Sequence, residues 1–160
     1  MNRYHQCSSP LGLITIQVND DGVLGVWFEG TAPEPLTSLG ESCPHDPLLV
    51  EVSEQLKEYF AGERTTFSLP IASQGTLFQQ KVWAALQTIP YGEFWSYQDL
   101  ANAIDNPKAT RAVGLANSKN PISIIVPCHR VIGKNGKLTG YSGGLERKQA
   151  LLKLEGITIG

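Results

Sequence analysis

The chain has 160 residues with 13 Lys/Arg, 15 Asp/Glu and a formal net charge of −2; 41% of it is hydrophobic and 18% charged. That is enough for one domain or two small ones with real cores, and too apolar for long disorder. No apolar run reaches a membrane span, the first residues lack a signal-peptide core, and three scattered cysteines make no disulfide framework. The expectation is a soluble, cytoplasmic protein with reduced thiols.

The small net charge hides a split. Residues 1–105 hold 4 Lys/Arg against 13 Asp/Glu, a net of −9, and residues 106–160 hold 9 against 2, a net of +7. Such asymmetry points to a polyanionic partner for the basic half. The plain alternative is an ordinary solvated surface.

Ile14, Ile16 and Val18 alternate with Thr15 and Gln17, which predicts a half-buried strand. Asn19 to Gly22 supply a turn, and Val23 to Phe28 return as the second strand of a hairpin. Residues 29–47 hold four prolines and two glycines and read as a long loop. Asp46 then caps a helix with Pro47 at its first position, Leu49, Val52, Leu56, Tyr59 and Phe60 on one face, and Gly62 at its end. An edge strand is expected over 65–69 and a linker from about residue 70 to 75. The spacing of His5, Cys7, Cys43 and His45 is not that of a zinc site, so no metal is expected.

Thr76 and Gln79 form a capping box for a helix with Phe78, Val82, Leu86 and Ile89 inward, stopped by Pro90. Tyr91 and Gly92 turn the chain. Ser96 and Asp99 cap a shorter helix, and Asn106-Pro107 open a third, from Lys108 to about Asn117. Three short helices with tight connections suggest a helix-turn-helix. The third helix is nearly bare: Ala109, Ala112, Gly114 and Ala116 leave little side chain on it. Interior glycine costs about 1 kcal/mol against alanine, so it needs a reason. Close packing on a neighbouring helix is one; close approach to a nucleic-acid groove is the other, and Arg111 projecting from this helix favours it.

Residues 121–126 form an apolar, β-branched run that predicts a buried strand ending at Pro127. Cys128, His129 and Arg130 follow. A lone cysteine is usually one more small buried hydrophobe, but a thiol held on a rigid segment beside a potential base is the layout of an activated nucleophile. Val131 and Ile132 begin a second expected hairpin, turned by Asn135 and Gly136 between Lys134 and Lys137. A glycine-rich stretch, Gly140-Tyr141-Ser142-Gly143-Gly144, precedes a last helix from Leu145, closed by Gly156. Glu155 at that helix end opposes the dipole and requires a cationic or hydrogen-bonding partner.

Pro90-Tyr91-Gly92-Glu93, Ser96-Tyr97-Gln98, Arg111-Ala112-Val113-Gly114, Asn120-Pro121, Pro127-Cys128-His129-Arg130-Val131-Ile132 and Gly140-Tyr141-Ser142-Gly143-Gly144, in this order, closely resemble the O6-alkylguanine-DNA alkyltransferases. The resemblance is dense over 76–156 and loose before residue 70. It implies an α/β (α+β) two-domain chain: a ribonuclease-H-like α/β domain over 1–70, a linker at 71–75, and a helix-turn-helix, winged-helix-like domain over 76–160.

It also implies direct-reversal repair without a cofactor, as a monomer, on double-stranded DNA carrying O6-alkylguanine, entered through the minor groove; O4-alkylthymine is a further possible substrate. Cys128 would accept the alkyl group irreversibly, His129 would act as base through a water, Glu155 would orient that histidine, and Asn120 would brace the turn. Tyr141 and the Ser142 backbone would bind the flipped base and its departing O6, and the carbonyls of Cys128 and Val131 its exocyclic amine. Arg111 would fill the vacated stack, and Tyr97 would rotate the target phosphate. Gln98, Asn106, Ala112 and Lys134 match DNA-contacting positions. The alternatives are a catalytically silent lesion-binding relative, which lacks the cysteine, a helix-turn-helix regulator, which needs long polar side chains on its recognition helix, and a cysteine hydrolase, for which an adjacent Cys-His pair is not enough.

Overall fold

The structure is a computed structural model, and it describes residues 1–133, 138, 141 and 143–158. The chain folds as two compact units, Met1–Gln74 and Gly75–Gly160.

In the first unit, β1 (Arg3–Cys7), β2 (Ile14–Asn19), β3 (Gly22–Phe28) and β4 (Glu41–Ser42) form one sheet in the order β3-β2-β1-β4. β1, β2 and β3 run antiparallel, and β4 lies parallel to β1. The expected hairpin is β2–β3. β1 was invisible because Arg3 to Cys7 is polar and only half-buried throughout, and the loop expected over 29–47 contains β4 and a 3₁₀ turn at Leu36–Leu39. Helix α1 (Pro47–Phe60) starts where Asp46 accepts from the Leu48 and Leu49 amides. It buries Leu49, Val52, Leu56 and Tyr59 in the core that takes Ile14, Ile16, Val18, Val23, Val26 and Phe28 from β2 and β3.

Two expectations shift at the end of this unit. No strand forms over 65–69; instead the Val23 amide donates to the Pro70 carbonyl and the Ala72 amide to Val23. The start of the expected linker is thus an extended segment beside β3, because hydrogen bonding to an open sheet edge outweighs the local bias of proline for loop.

In the second unit, α2 (Leu77–Leu86) and α3 (Tyr97–Ala103) both begin with the expected capping boxes. α4 runs Thr110–Ser118, two residues later than expected, since Asn106 to Ala109 form a turn in which the Ala109 amide donates to Asn106. α3, that turn and α4 form the helix-turn-helix. α4 is fixed from behind: Val113, Ala116 and Asn117 face inward, and the Trp83 indole of α2 donates to the Ala116 carbonyl at 2.9 Å. β5 (Trp95–Ser96) pairs in parallel with β6 (Val131–Ile132). Val131 and Ile132, where the expected hairpin begins, form β6; the turn of that hairpin at Asn135-Gly136 lies outside the described residues. α5 (Leu145–Leu154) closes the unit with Leu151 and Leu152 inward.

The main correction is at 121–126. The run is buried, 8% exposed or less from Ile122 to Val126, but it is not a strand. The Val126 amide donates back to Ile122 and the Ile125 amide to Ser123. Ile124 has φ 71°, a left-handed conformation that costs a β-branched residue about 1–3 kcal/mol. The run coils because Asn120 takes its hydrogen-bonding groups: the side-chain amide donates to the Ile122 and Val126 carbonyls at 3.2 and 2.8 Å, and its oxygen accepts from the Ile122 amide. Apolar composition decided the burial, and one polar side chain decided the shape.

Candidate active site and nucleic-acid interface

Pro127 ends the coiled run, and Cys128–Arg130 form a single 3₁₀ turn before β6. All three residues are buried, and the His129 side chain has no exposed surface. Burial pushes the Cys128 thiol above its ordinary range, against smaller downward pulls from Asn120 and the Lys148 charge. The resting group is the protonated thiol.

His129 Nε2 lies 2.7 Å from Glu155 Oε2. A carboxylate only accepts, so Nε2 carries the proton and Nδ1 carries the lone pair. Nδ1 is buried and has no hydrogen-bond partner among the described residues. Burial lowers the His129 pKa below its ordinary value, with Glu155 opposing. The ring is a neutral base with its basic nitrogen uncommitted.

Glu155 has the partners that its place at the end of α5 required. Besides His129 it accepts from Arg130 Nε at 2.7 Å, Arg130 Nη2 at 3.1 Å and the Gly92 amide at 3.3 Å. Gly92 has φ 82°, which presents that amide at little cost. Arg130 also donates to the Ile89 carbonyl at 2.7 Å and lies over the Tyr91 ring. The base is thereby tied to α5, to the end of the α2 segment and to the 91–92 turn.

Two contributors escaped the sequence reading. Arg130 was read only as part of a motif. Lys148 was not singled out, yet it is fully buried and donates to the Val131 carbonyl at 2.6 Å. Burial lowers its pKa to about 8, with Cys128 pulling upward, so at neutral pH a buried ammonium stands within electrostatic reach of the thiol. The signal was present: residues 148, 152 and 155 share one face of α5, and a lysine in register with inward leucines needs an explanation.

Tyr141 is 9% exposed, and burial holds its phenol well above the ordinary range, so it remains a proton donor; Ser123 lies against its hydroxyl. The Val131 carbonyl, expected to meet the base's exocyclic amine, is the acceptor of the Lys148 bond. Ser142 and Lys134 lie outside the described residues.

The remaining positions gather on the helix-turn-helix. Tyr97, Gln98, Arg111 and Gly114, with Ser96 and Thr110, line a cavity of about 380 Å³. Gln98 ties the turn, donating to Asn102 and to the Pro107 carbonyl. Asn106 sits exposed in that turn, and Arg111 and Ala112 are exposed on α4. A Cβ at Gly114 would meet only the Tyr97 ring at 3.6 Å, an ordinary contact. Tight packing therefore does not account for that glycine, and an open face remains as its reason. Among the described residues no three His, Cys, Asp or Glu come together as a metal site, and no helix is long and apolar enough to cross a membrane.

Known proteins share this arrangement. Residues 77–157 match the family model for the 6-O-methylguanine DNA methyltransferase DNA binding domain, and residues 2–73 that for its ribonuclease-like domain. The chain is 48% identical to the constitutive methylated-DNA–protein-cysteine methyltransferase of Bacillus subtilis, over 99% of this chain and 98% of the relative. It is 50% identical to that of Methanosarcina acetivorans, over 92% and 94%. The crystal structure of Mycobacterium tuberculosis O6-methylguanine methyltransferase superposes with a TM-score of 0.88 at 48% identity, covering 97% of this chain and 93% of that one. The same organism's OGT in complex with DNA gives 0.86 at 46%, covering 96% and 92%.

Proposed function

The chain belongs to the 6-O-methylguanine DNA methyltransferase family, and we infer that it is a direct-reversal DNA repair enzyme whose alkyl acceptor is its own Cys128. The observation that carries the assignment is the 2.7 Å His129–Glu155 pair set one residue after a buried cysteine, with His129 Nδ1 uncommitted.

The chemistry follows from those groups. Attack on an alkyl carbon needs a thiolate, and the buried thiol is protonated at rest. His129 Nδ1 removes the proton through a bridging water, while Glu155 stabilises the imidazolium that forms. The Lys148 ammonium stabilises the thiolate in a site that excludes solvent. Sulfur forms a bond to the alkyl carbon as the carbon–O6 bond breaks. Tyr141, held as a donor, meets the charge that develops on the base. The proton lost by sulfur ends on guanine, so thiol plus O6-alkylguanine gives thioether plus guanine. A thioether has no route back in this site, so each chain acts once.

The target lies inside a duplex and must be turned out of it. The bare outer face of α4 suits a shallow minor groove read with little sequence preference; in this reading Arg111 occupies the gap and Tyr97 holds the displaced nucleotide's phosphate. Gln98, Asn106 and Lys134 contact the DNA backbone, and Ala112 also contacts the DNA. The protein acts as a monomer in the compartment that holds its DNA, the cytoplasm. Intact mass after incubation with a duplex carrying O6-methylguanine tests the reading: one methyl per chain, mapped to Cys128, is expected. Transfer to Cys7 or Cys43, or none with active lesion DNA, refutes it.

A further inference from the structure

Arg111 and Leu115 lie four residues apart on α4, and Lys119, four further on, caps its C-terminal end, so the three fall in one stripe. All three are exposed, and Leu115 is 61% exposed. A single exposed leucine is ordinary; this one has an unusual setting. It is the one bulky aliphatic side chain on the exposed face of α4, where the other exposed residues are Arg111, Ala112 and Ser118, and α4 carries no acidic residue. Cations stand one turn to either side of it. Residues 111 and 119 are about 12 Å apart along the helix, at 1.5 Å per residue, enough for Lys119 to reach a phosphate wall of a groove about 6 Å wide while Arg111 and Leu115 stand over its floor.

We propose that Leu115 is an apolar wedge that enters the minor groove beside Arg111 and holds open the base step next to the extruded nucleotide. This rests on the reading of the chain as a base-flipping repair enzyme. A cation alone satisfies phosphates but gains little against the faces of unstacked bases; an apolar side chain gains by covering them. The stripe divides the work: Arg111 fills the vacated position, Leu115 covers the faces of the neighbouring unstacked bases, and Lys119 neutralises a phosphate.

The test uses single-turnover methyl transfer from a duplex in which 2-aminopurine neighbours O6-methylguanine, run in parallel with transfer from the free modified base. Leu115→Ala should lower the duplex rate about tenfold, roughly the loss of one leucine's burial, and reduce the 2-aminopurine fluorescence rise at saturating protein. The free-base rate should not change, and Leu115→Met should restore the duplex rate to within about twofold. The dependence of duplex affinity on salt should keep its slope in Leu115→Ala and lose about one unit in Lys119→Ala. An exposed helical site accepts alanine without loss of fold. A wild-type duplex rate and fluorescence signal in Leu115→Ala overturns the wedge, as does an equal loss on free base and duplex. Failure of the repair reading itself is distinguishable, because wild-type protein would then transfer nothing from either substrate.

Discussion

The two units bury different things. Among the described residues of the first, the buried polar side chains are Thr15 and Gln55. Gln55 is matched within its own neighbourhood, donating to Glu51 and to the Ser68 carbonyl and accepting from the Ser68 amide. The second unit buries Asn117, Asn120, Ser123, His129, Arg130, Lys148 and Glu155. Taking an unpaired charge out of water costs several kcal/mol, and a well-packed apolar core is often at least as stable as a buried ion pair. A unit that buries four ionisable side chains around one cysteine is arranged for chemistry at the expense of stability. Its neighbour shows what the same chain builds when only folding is at stake.

The largest test of that contrast is Cys128→Ala. Methyl transfer should vanish by mass spectrometry, while affinity for lesion duplex stays within about twofold, because the loss of one small buried group leaves α4 in place. Binding lost in parallel would mean that the thiol is part of the scaffold. Next is the base: Glu155→Gln and His129→Asn should each lower the transfer rate about 10²–10⁴-fold.

His129 also carries a stability signature. Its pKa is lowered in the fold, so as pH falls below about 6.5 the unfolded chain binds the proton first and the native state loses stability. Urea unfolding of wild type should show that decline, and His129→Asn should lack its share of it; identical profiles would mean that the ring is not held neutral. Lys148→Met should reduce transfer about tenfold to a hundredfold near neutrality. Lys148 loses its charge near pH 8, so wild-type rates should fall above that pH, and the variant should lack that limb.

A smaller change is expected at the helix-turn-helix. Arg111→Ala should slow transfer in duplex about tenfold and leave the free-base reaction intact; equal loss on both would make Arg111 structural. The smallest effect on activity belongs to the first unit. Gln55→Ala should leave transfer unchanged at 25 °C while lowering unfolding free energy by about 1–3 kcal/mol. A change in rate there would erase the contrast between the units.

What the sequence disclosed divides along physical lines. Caps were legible because they depend on two or three neighbouring residues: Asp46, Thr76 with Gln79, and Ser96 with Asp99 start helices where expected. Cys128, His129, Glu155 and Asn120 were named through the family resemblance, and the fold brings the histidine to the glutamate and the asparagine to the turn. The coil at 121–126 was misread because β-branched composition reports burial as readily as strand. Only the Asn120 side chain, outside that run, distinguishes the two. Lys148 was passed over because a lysine in a polar-rich helix looks like surface until its register with Leu152 and Glu155 is counted.

The burial of Cys128 bears on shelf life. A reagent that can be used once is wasted by any adventitious electrophile or oxidant, and those react with exposed thiolate. Here Cys128 is 3% exposed and its sulfur holds its proton, whereas Cys7 and Cys43 are partly open to solvent. Iodoacetamide should therefore mark Cys43 well before Cys128 in the absence of DNA, and the reverse order would contradict a guarded thiol. Keeping the proton on sulfur until a base occupies the site slows every competing reaction of the waiting protein, so its useful lifetime is set by how seldom damage arrives rather than by the oxidants around it.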